Sequence, residues 1–168
     1  LTNDVAFKQV FGEKEILLGL LNALLVEQKV QTIDSIRMVD EIEKSLYKDL
    51  EYNPQEKVSP IGNQRIVMDI TCTTDKGETI IIEMQNAYFK DFAIRAQTYV
   101  SLMMTEQFTR EKYGYKLTPV YFIGFFSYAI DSESEDYISR YSVRNEKTGK
   151  EMWGNMQHYI YVELSKFN

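Results

Sequence analysis

Residues 64–87, whose sequence is QRIVMDITCTTDKGETIIIEMQNA, decide the fold class of this chain. Both halves of the stretch are rich in Ile, Val and Thr, and a Gly-containing turn separates them, which is typical of a β-hairpin. A three-residue loop over 75–77 puts Gly77 at the left-handed position that follows a type I turn, where glycine is least strained. The sequence therefore predicts two antiparallel strands joined at residues 75–77.

The length of this loop determines which residues of the two strands face each other. The predicted cross-strand pairs are Thr74 with Glu78, Cys72 with Ile80, Ile70 with Ile82, and Met68 with Met84. One face of the hairpin is then apolar along its whole length. A loop of two or four residues would instead set Ile70 opposite Glu83 and mix apolar with charged side chains. Turn chemistry and hydrophobic pattern therefore indicate the same register.

The opposite face of the hairpin carries two acidic residues side by side. The register sets Asp69 opposite Glu83 and Val67 opposite Gln85. Cross-strand Cβ atoms are about 4.5–5.5 Å apart, and two carboxylates at roughly 5 Å repel by about 3 kcal/mol at an effective dielectric near 20. A divalent cation between them would turn this repulsion into attraction, and hard oxygen ligands suit Mg²⁺ or Mn²⁺. The alternative is a solvated face whose side chains splay apart.

Length and composition favour one soluble domain. The chain has 168 residues, of which 44% are hydrophobic and 26% charged, as in ordinary globular proteins that bury a core. The lone Cys72 lies on the apolar face of the predicted hairpin, which favours a core residue over a nucleophile. No apolar run reaches the roughly 18–20 residues of a membrane span, and no signal peptide is visible, so a cytoplasmic location is expected. Because the chain begins with Leu1, we expect a fragment of a longer protein.

Charge and motif content exclude several function classes. The net charge of −6 does not favour nucleic-acid binding by bulk electrostatics, although it leaves room for a local basic patch or a metal-dependent mode. The single His158 argues against a His-rich metal site or a Ser–His triad. The sequence contains no Walker loop, no GxGxxG, no CxxC pair and no EF-hand loop, so neither a nucleotide-phosphate cradle nor a zinc ribbon is indicated.

The remaining elements follow from hydrophobic periodicity. Apolar residues at helical spacing predict helices over 2–11, 13–28 and 89–112. The helix over 89–112 is expected to pack on the apolar face of Met68, Ile70, Ile82 and Met84, and the first long helix is expected to cover part of the same sheet. Residues 32–42 are interpreted as a first strand and 43–63 as a long loop. The nearly unbroken apolar run over 119–126 predicts a buried strand that lies parallel to the hairpin strand before it, because a helix connects the two.

Two further features precede the C-terminus. The acidic stretch 131–136 is interpreted as a solvated loop. Residues 137–145 and 151–164 are predicted to form a second hairpin across residues 146–149. Trp153 is expected to pack on the main sheet.

In this order of elements, with Asp on the second strand and Glu-x-Gln on the third, the chain resembles the PD-(D/E)XK nuclease superfamily. It looks most like the branch of nuclease-family transposases related to recombination-promoting nucleases. The matching stretches are 3–12, 67–70, 82–85, Arg95 with Tyr99, and 162–167. The resemblance implies an α/β fold with a restriction-endonuclease-like core, in which a mixed central sheet with flanking helices (helix-strand-strand-strand-helix-strand) is followed by the C-terminal hairpin. It covers 1–168 as a single nuclease-like domain.

The resemblance also implies site residues. Asp69 and Glu83 would hold Mg²⁺ or Mn²⁺, helped by the backbone carbonyl of Met84. Gln85 stands where the superfamily usually has Lys, and a neutral amide can orient an attacking water without supplying positive charge. The remaining implied residues are Asp4, which would reach the metal through water or would cap its helix, and Arg95 with Tyr99, which would meet a phosphate, unless Arg95 forms a salt bridge.

Three functional readings follow from this resemblance. The first is a Mg²⁺-dependent DNA endonuclease of mobile-element type, whose catalytic residues are Asp69, Glu83, Gln85 and Asp4. The second is a non-catalytic interaction module that keeps the nuclease fold, which the acidic charge balance and the missing Lys favour. The third is an RNA nuclease, since metal-assisted hydrolysis uses the same groups on either polymer. The expected partner is DNA, with a homodimer as a further possibility and no membrane.

Overall fold

A computed structural model describes residues 4–31, 50–54, 57–58, 66–110 and 116–167 of the chain. Its helices are α1 (Asp4–Phe11), α2 (Lys14–Gln31) and α3 (Phe92–Arg110). Its strands are β1 (Leu50–Pro54), β2 (Lys57–Val58), β3 (Ile66–Val67), β4 (Ile70–Thr74), β5 (Thr79–Gln85), β6 (Val120–Phe126), β7 (Ile138–Ser142) and β8 (Gln157–Glu163). A short 3-10 helix, Leu164–Lys166, follows β8.

Six of these strands form one mixed sheet in the order β1-β4-β5-β6-β8-β7, and β2 pairs with β3 separately. The adjacent strands β5, β6 and β8 are parallel, whereas β1, β4 and β7 run antiparallel to their neighbours. This arrangement confirms the predicted α/β class, the parallel strand after α3 and the C-terminal hairpin. In the described part of the chain no helix is long and apolar enough to cross a membrane.

The register predicted for the first hairpin is confirmed where β4 and β5 pair. Cys72 faces Ile80 and Ile70 faces Ile82. The turn contains Gly77 at a φ of 78°, and the N–H of Thr74 donates to the carbonyl of Glu78 at 2.9 Å. Pairing stops at Ile70 because the chain bends at Asp69, so that β3 and β4 are separate strands.

Both faces of the sheet are buried, and each is covered by a different helical layer. Helices α1 and α2 cover the face that carries Ile70, Ile82 and Met84, with contacts from Phe7, Leu17 and Leu21, among others. Helix α3 covers the opposite face and packs on a cluster that contains Met68, Ile81, Phe122, Phe126 and Tyr161. A strand that is buried on both faces needs apolar side chains in both directions, and the run Ile80-Ile81-Ile82 supplies them.

The prediction that the helix near 89–112 packs on the face of Met68, Ile70, Ile82 and Met84 is therefore wrong. Strict alternation along β4 and β5 assigned the apolar residues to a single face, but Ile81 shows that β5 has two apolar faces. Met68 also lies on the α3 side, away from Ile70, because the bend at Asp69 interrupts the alternation.

Two further expectations need correction, and one lies outside the described residues. The predicted loop over 43–63 contains β1 and β2, and β1 extends the main sheet as the neighbour of β4. Trp153 does not pack on the sheet, because 93% of its surface is exposed. The strand predicted over 32–42 lies outside the described residues.

The buried thiol of Cys72 gives a test of this packing. Burial raises the pKa of Cys72 to about 12, so almost none of the reactive thiolate forms near neutral pH. We expect the native protein to resist alkylation by iodoacetamide at pH 8, and the urea-unfolded protein to react at the rate of a free cysteine. Mass spectrometry of the two reactions measures the difference. Rapid labelling of the native protein would contradict the buried position of β4.

Candidate functional site

The bend between β3 and β4 brings the two predicted carboxylates together. Beyond the last backbone pair, Ile70 with Ile82, side-chain carboxylates accept hydrogen bonds from backbone N–H groups of the opposite strand. The N–H of Asp69 donates to Glu83 Oε1 at 3.0 Å, and the N–H of Met84 donates to Asp69 Oδ2 at 3.1 Å. Each carboxylate thus accepts a hydrogen bond from the backbone of the opposite strand, which holds both side chains at the same edge of the hairpin, as the register predicted.

Arg95 of α3 reaches the same place from the helix that covers this face. Its Nη2 donates to Gln85 Oε1 at 2.7 Å and lies 3.7 Å from Glu83 Oε2. The side chain of Glu83 is 7% exposed and that of Arg95 is 31% exposed, so solvent screens this ion pair only in part. The salt bridge that was the alternative role of Arg95 is therefore present, and its contact with a phosphate stays a prediction.

Three aromatic rings surround the guanidinium of Arg95. Its central carbon lies 5.1 Å from the ring centre of Phe89, 5.1 Å from that of Phe92 and 5.9 Å from that of Tyr99. Rings at this distance attract a cation by their quadrupoles. Nε of Arg95 is buried without a hydrogen-bond partner, so the rings and the Nη2 contacts fix the orientation of the side chain.

Gln85 is held in place by two hydrogen bonds. Its Oε1 accepts from Arg95, and its Nε2 donates to the carbonyl of Ala87 at 2.8 Å. The amide therefore links the end of β5 to α3. Its predicted role, the orientation of an attacking water, stays a prediction.

Tyr99 lies one helical turn after Arg95 and is buried. Burial raises the pKa of the Tyr99 phenol, the negative charge of Glu83 raises it further, and Asp69 adds to the effect while Arg95 opposes it. The phenol of Tyr99 consequently stays neutral at physiological pH, and it can act as a hydrogen-bond donor beside the carboxylates.

The oxygen atoms at this edge suit a hard divalent cation. Asp69 and Glu83 supply two carboxylates, and Arg95 balances them in part, so these three side chains sum to −1. The N–H of Met84 faces Asp69, and the carbonyl of a strand residue faces the same neighbour as its N–H. Mg²⁺ commonly takes one or two carboxylates and keeps several waters. Within the described ranges no three His, Cys, Asp or Glu side chains cluster, so waters would complete such a site.

Asp4 occupies the first position of α1, and its side chain lies outside the described ones. The helix packs on the sheet face opposite to Arg95, with the ring of Phe7 5.5 Å from that of Phe125. Phe125 is the direct neighbour of Met84 in β6. Helix α1 thus lies near the end of β5 that carries the carboxylates, and the roles of Asp4 as ligand or cap stay predictions.

Sequence reasoning missed how the C-terminal stretch supports this edge. Glu163 is fully buried and accepts hydrogen bonds from the N–H groups of Ile130 and Asp131 and from Lys166 Nζ. Lys166 also donates to the carbonyls of Asp131 and Asp136. The two residues anchor the acidic loop 131–136 by its backbone, and no local sequence signal reveals contacts across about thirty residues.

The connection from β6 to β7, which contains the acidic loop 131–136, begins beside Gln85. The N–H of Ser127 donates to the carbonyl of Gln85 at 3.1 Å, and its hydroxyl donates to the carbonyl of Asn86 at 2.9 Å. The connection from β6 to β7 therefore runs from the end of β5 to the Glu163–Lys166 pair, and it fixes the backbone next to the candidate site.

The comparison with protein families agrees with this fold. A family model described as "PD-(D/E)XK nuclease family transposase" matches residues 1–168, which is the whole chain. The resemblance deduced from the residues is thereby confirmed, and the mixed sheet with its flanking helices is consistent with a restriction-endonuclease-like core. Neither the curated proteins nor the solved structures gave a significant match.

The reciprocal hydrogen bonds can be tested by two substitutions at one position. Asp69→Asn keeps an oxygen that accepts from the Met84 N–H, whereas Asp69→Ala leaves this donor without that acceptor. Because an unsatisfied buried donor costs about 1–3 kcal/mol, we expect the Asn variant to exceed the Ala variant in free energy of unfolding by about that amount. Urea denaturation in EDTA measures the difference. The same pair of changes at the exposed Asp136 is the control, and equal stabilities of the two Asp69 variants would contradict the geometry.

Proposed function

Since this chain belongs to the PD-(D/E)XK nuclease family transposases, we propose that it is a metal-dependent DNA endonuclease of mobile-element type, which hydrolyses phosphodiester bonds. The observation that carries the proposal is the pair of carboxylates, Asp69 and Glu83, held at one edge by the backbone N–H groups of Met84 and Asp69, respectively. Two like charges at this spacing oppose folding. A chain that needed only stability could satisfy the same two N–H groups with the amide oxygens of Asn and Gln, which carry no charge and do not repel each other.

The proposed metal ligands are Asp69, Glu83 and the carbonyl of Met84, with Mg²⁺ or Mn²⁺ as the ion. An ion of this kind polarises a phosphate and makes a nearby water more acidic. The residues of the chain contribute the rest. Their hydrogen bonds hold the carboxylates in place before any ligand arrives, which lowers the cost of ordering them on binding.

The proposed substrate contacts come from α3 and the end of β5. Arg95 is fixed by three aromatic rings and lies partly open to solvent, so its guanidinium can pair with a phosphate oxygen. Gln85 keeps Arg95 in this position through its amide oxygen. The neutral phenol of Tyr99 can donate a hydrogen bond without adding negative charge. Asp4 is proposed as a further acidic residue of the site.

Two observations favour a second candidate, a nuclease-fold interaction module with weak or no activity. Gln85 has both ends of its amide engaged, by Arg95 and by the carbonyl of Ala87, and it carries no positive charge. Glu83 also neutralises part of the positive charge of Arg95. Either feature would weaken stabilisation of a developing negative charge on a phosphate.

Hydrolysis of RNA, a homodimer and a cytoplasmic location stay predictions.

A plasmid-nicking assay tests the proposed reaction. We expect conversion of supercoiled to open-circular DNA with Mg²⁺ or Mn²⁺ and none with EDTA. Asp69→Asn and Glu83→Gln keep the size of each side chain and should lower the rate by more than the roughly 10- to 100-fold that loss of an outer-shell partner costs. Glu78→Gln is the matched control, because Glu78 is also buried and lies just before the other end of β5.

The assay also separates the two candidates. Equal nicking by wild type and Glu83→Gln would assign the activity to a contaminant. An inactive wild type that gains activity on Gln85→Lys would favour the interaction module, since the added cation restores what the neutral amide lacks.

Thermal melts test metal binding without relying on activity. A ligand that binds only the folded state stabilises it by RT ln(1 + [L]/Kd), about 2.7 kcal/mol at 100 times Kd. For a chain of this size that corresponds to a rise in Tm of about 5–10 °C. We expect this rise with Mn²⁺ for wild type and for Glu78→Gln, but not for Asp69→Ala or Glu83→Ala. An equal shift in wild type and Asp69→Ala would move the metal site elsewhere.

A further inference from the structure

The second hairpin carries an insertion that the fold does not require. The backbones of Arg144 and Glu151 form an isolated antiparallel β-bridge, and the next backbone pair toward the sheet is Ser142 with His158. One strand spans this interval with the single residue Val143, whereas the other uses the six residues 152–157. The extra residues form a β-turn in which the N–H of Asn155 donates to the carbonyl of Met152 at 3.1 Å.

The turn holds the backbone of Trp153 in place and presents its side chain to solvent. Gly154 has a φ of 67°, which is the conformation that a type II turn needs at its third residue, so Trp153 occupies the second position. The N–H of Met152 donates to the carbonyl of Val143 at 2.9 Å. Asn155 Nδ2 donates to Glu151 Oε1 at 2.9 Å and to the carbonyl of Gln157 at 3.0 Å. Both ends of the turn are therefore anchored.

Trp153 is exposed far beyond what packing explains. It is 93% exposed, the highest value among the large hydrophobic residues that the structure describes, and Met152 beside it is 47% exposed. Clustered exposed apolar groups mark binding sites more often than single ones do. Because the backbone of the turn is anchored, stacking of a flat ligand on Trp153 would have to order only the side chain.

The charges around Trp153 indicate the chemistry of the partner. Arg144, Lys147 and Lys150 are exposed in the hairpin tip, against the exposed Glu146. The second acid of the tip, Glu151, turns inward, where Asn155 donates to it and His158 Nδ1 lies 3.8 Å away. The exposed tip is thus positive in a chain whose net charge is −6. A positive spot beside a free aromatic ring fits an anion that carries flat rings.

We propose that this tip binds single-stranded nucleic acid, with an unpaired base stacked on Trp153 and phosphates near Lys147 and Lys150. Aromatic platforms beside cations are how proteins hold single strands without reading their sequence, and a base inside a duplex cannot offer its face to a ring. This inference rests on the proposed function, because it assumes a nucleic-acid substrate, and it adds a second contact to that substrate.

The second contact is separate from the carboxylate edge. Tyr161 of β8 lies in one row with Gly124 and Glu83 across the sheet, whereas Trp153 precedes Gln157, the first residue of β8. Four strand residues span about 13 Å along the sheet. The tip would therefore hold a part of the strand away from the scissile bond.

Trp153 is the only tryptophan of the 168 residues, so its fluorescence reports on this tip alone. The experiment titrates wild type in EDTA with a single-stranded oligonucleotide of mixed sequence, and we expect saturable quenching. Anisotropy of a labelled oligonucleotide then compares variants. Since stacking contributes about 1–3 kcal/mol per base, Trp153→Ala should bind roughly tenfold more weakly, whereas Trp153→Tyr should keep most of the affinity. Lys147→Gln with Lys150→Gln should flatten the salt dependence.

The outcomes are distinct from those of the nicking assay, because EDTA removes any need for catalysis. Unchanged fluorescence with the oligonucleotide, or equal binding by Trp153→Ala and wild type, would overturn the proposal even if the protein nicks DNA. Duplex that quenches as strongly as single strand would overturn it as well. An emission change that depends on protein concentration alone, or on anionic vesicles alone, would replace it with self-association or membrane contact.

Discussion

The exchange of hydrogen bonds at Asp69 is the constraint on which the candidate site depends. In a regular antiparallel pair, residues 69 and 83 would continue the backbone ladder below Ile70 and Ile82. Here the chain bends, and carboxylate oxygens take the N–H groups that the ladder no longer satisfies. A buried N–H without a partner costs about 1–3 kcal/mol, so the bend requires acceptors at these two positions. The acids are therefore part of the hairpin structure as well as the candidate ligands.

This dual role explains why the site can tolerate its own repulsion. The repulsion between two neighbouring carboxylates is about 3 kcal/mol at an effective dielectric near 20. Leaving the two backbone N–H groups without their carboxylate acceptors would cost a similar amount. Arg95 lowers the penalty further from 3.7 Å. The pair can thus persist in the absence of a cation. Persistence of the fold without metal does not by itself argue against a metal site, and only a response to added metal decides the matter.

The sequence predicts the local features well and the layering poorly. Turn chemistry at Gly77 and the alternation around Ile70 and Ile82 were enough to fix the register, and the register placed Asp69 beside Glu83. The layering failed because a period of two assigns one apolar face, whereas three consecutive isoleucines serve two helical layers. The contacts of Glu163 and Lys166 with the loop that starts beside Gln85 could not be predicted from the sequence. They join residues about thirty positions apart through backbone groups, which carry no sequence signal.

The position of Arg95 bears on how the site would work as an enzyme. Its guanidinium cannot change position freely, since three rings and the Gln85 amide hold it. The positive charge of Arg95 therefore stays next to Glu83, whether or not a ligand is bound. A divalent cation between the carboxylates would neutralise Glu83 and weaken its hold on Arg95, because the ion pair depends on that negative charge. The guanidinium would stay in place, held by the rings and by Gln85, and its charge could pair with a phosphate oxygen. Under the proposed function, Gln85 would compensate for the absent lysine indirectly, because its amide oxygen orients the guanidinium of Arg95.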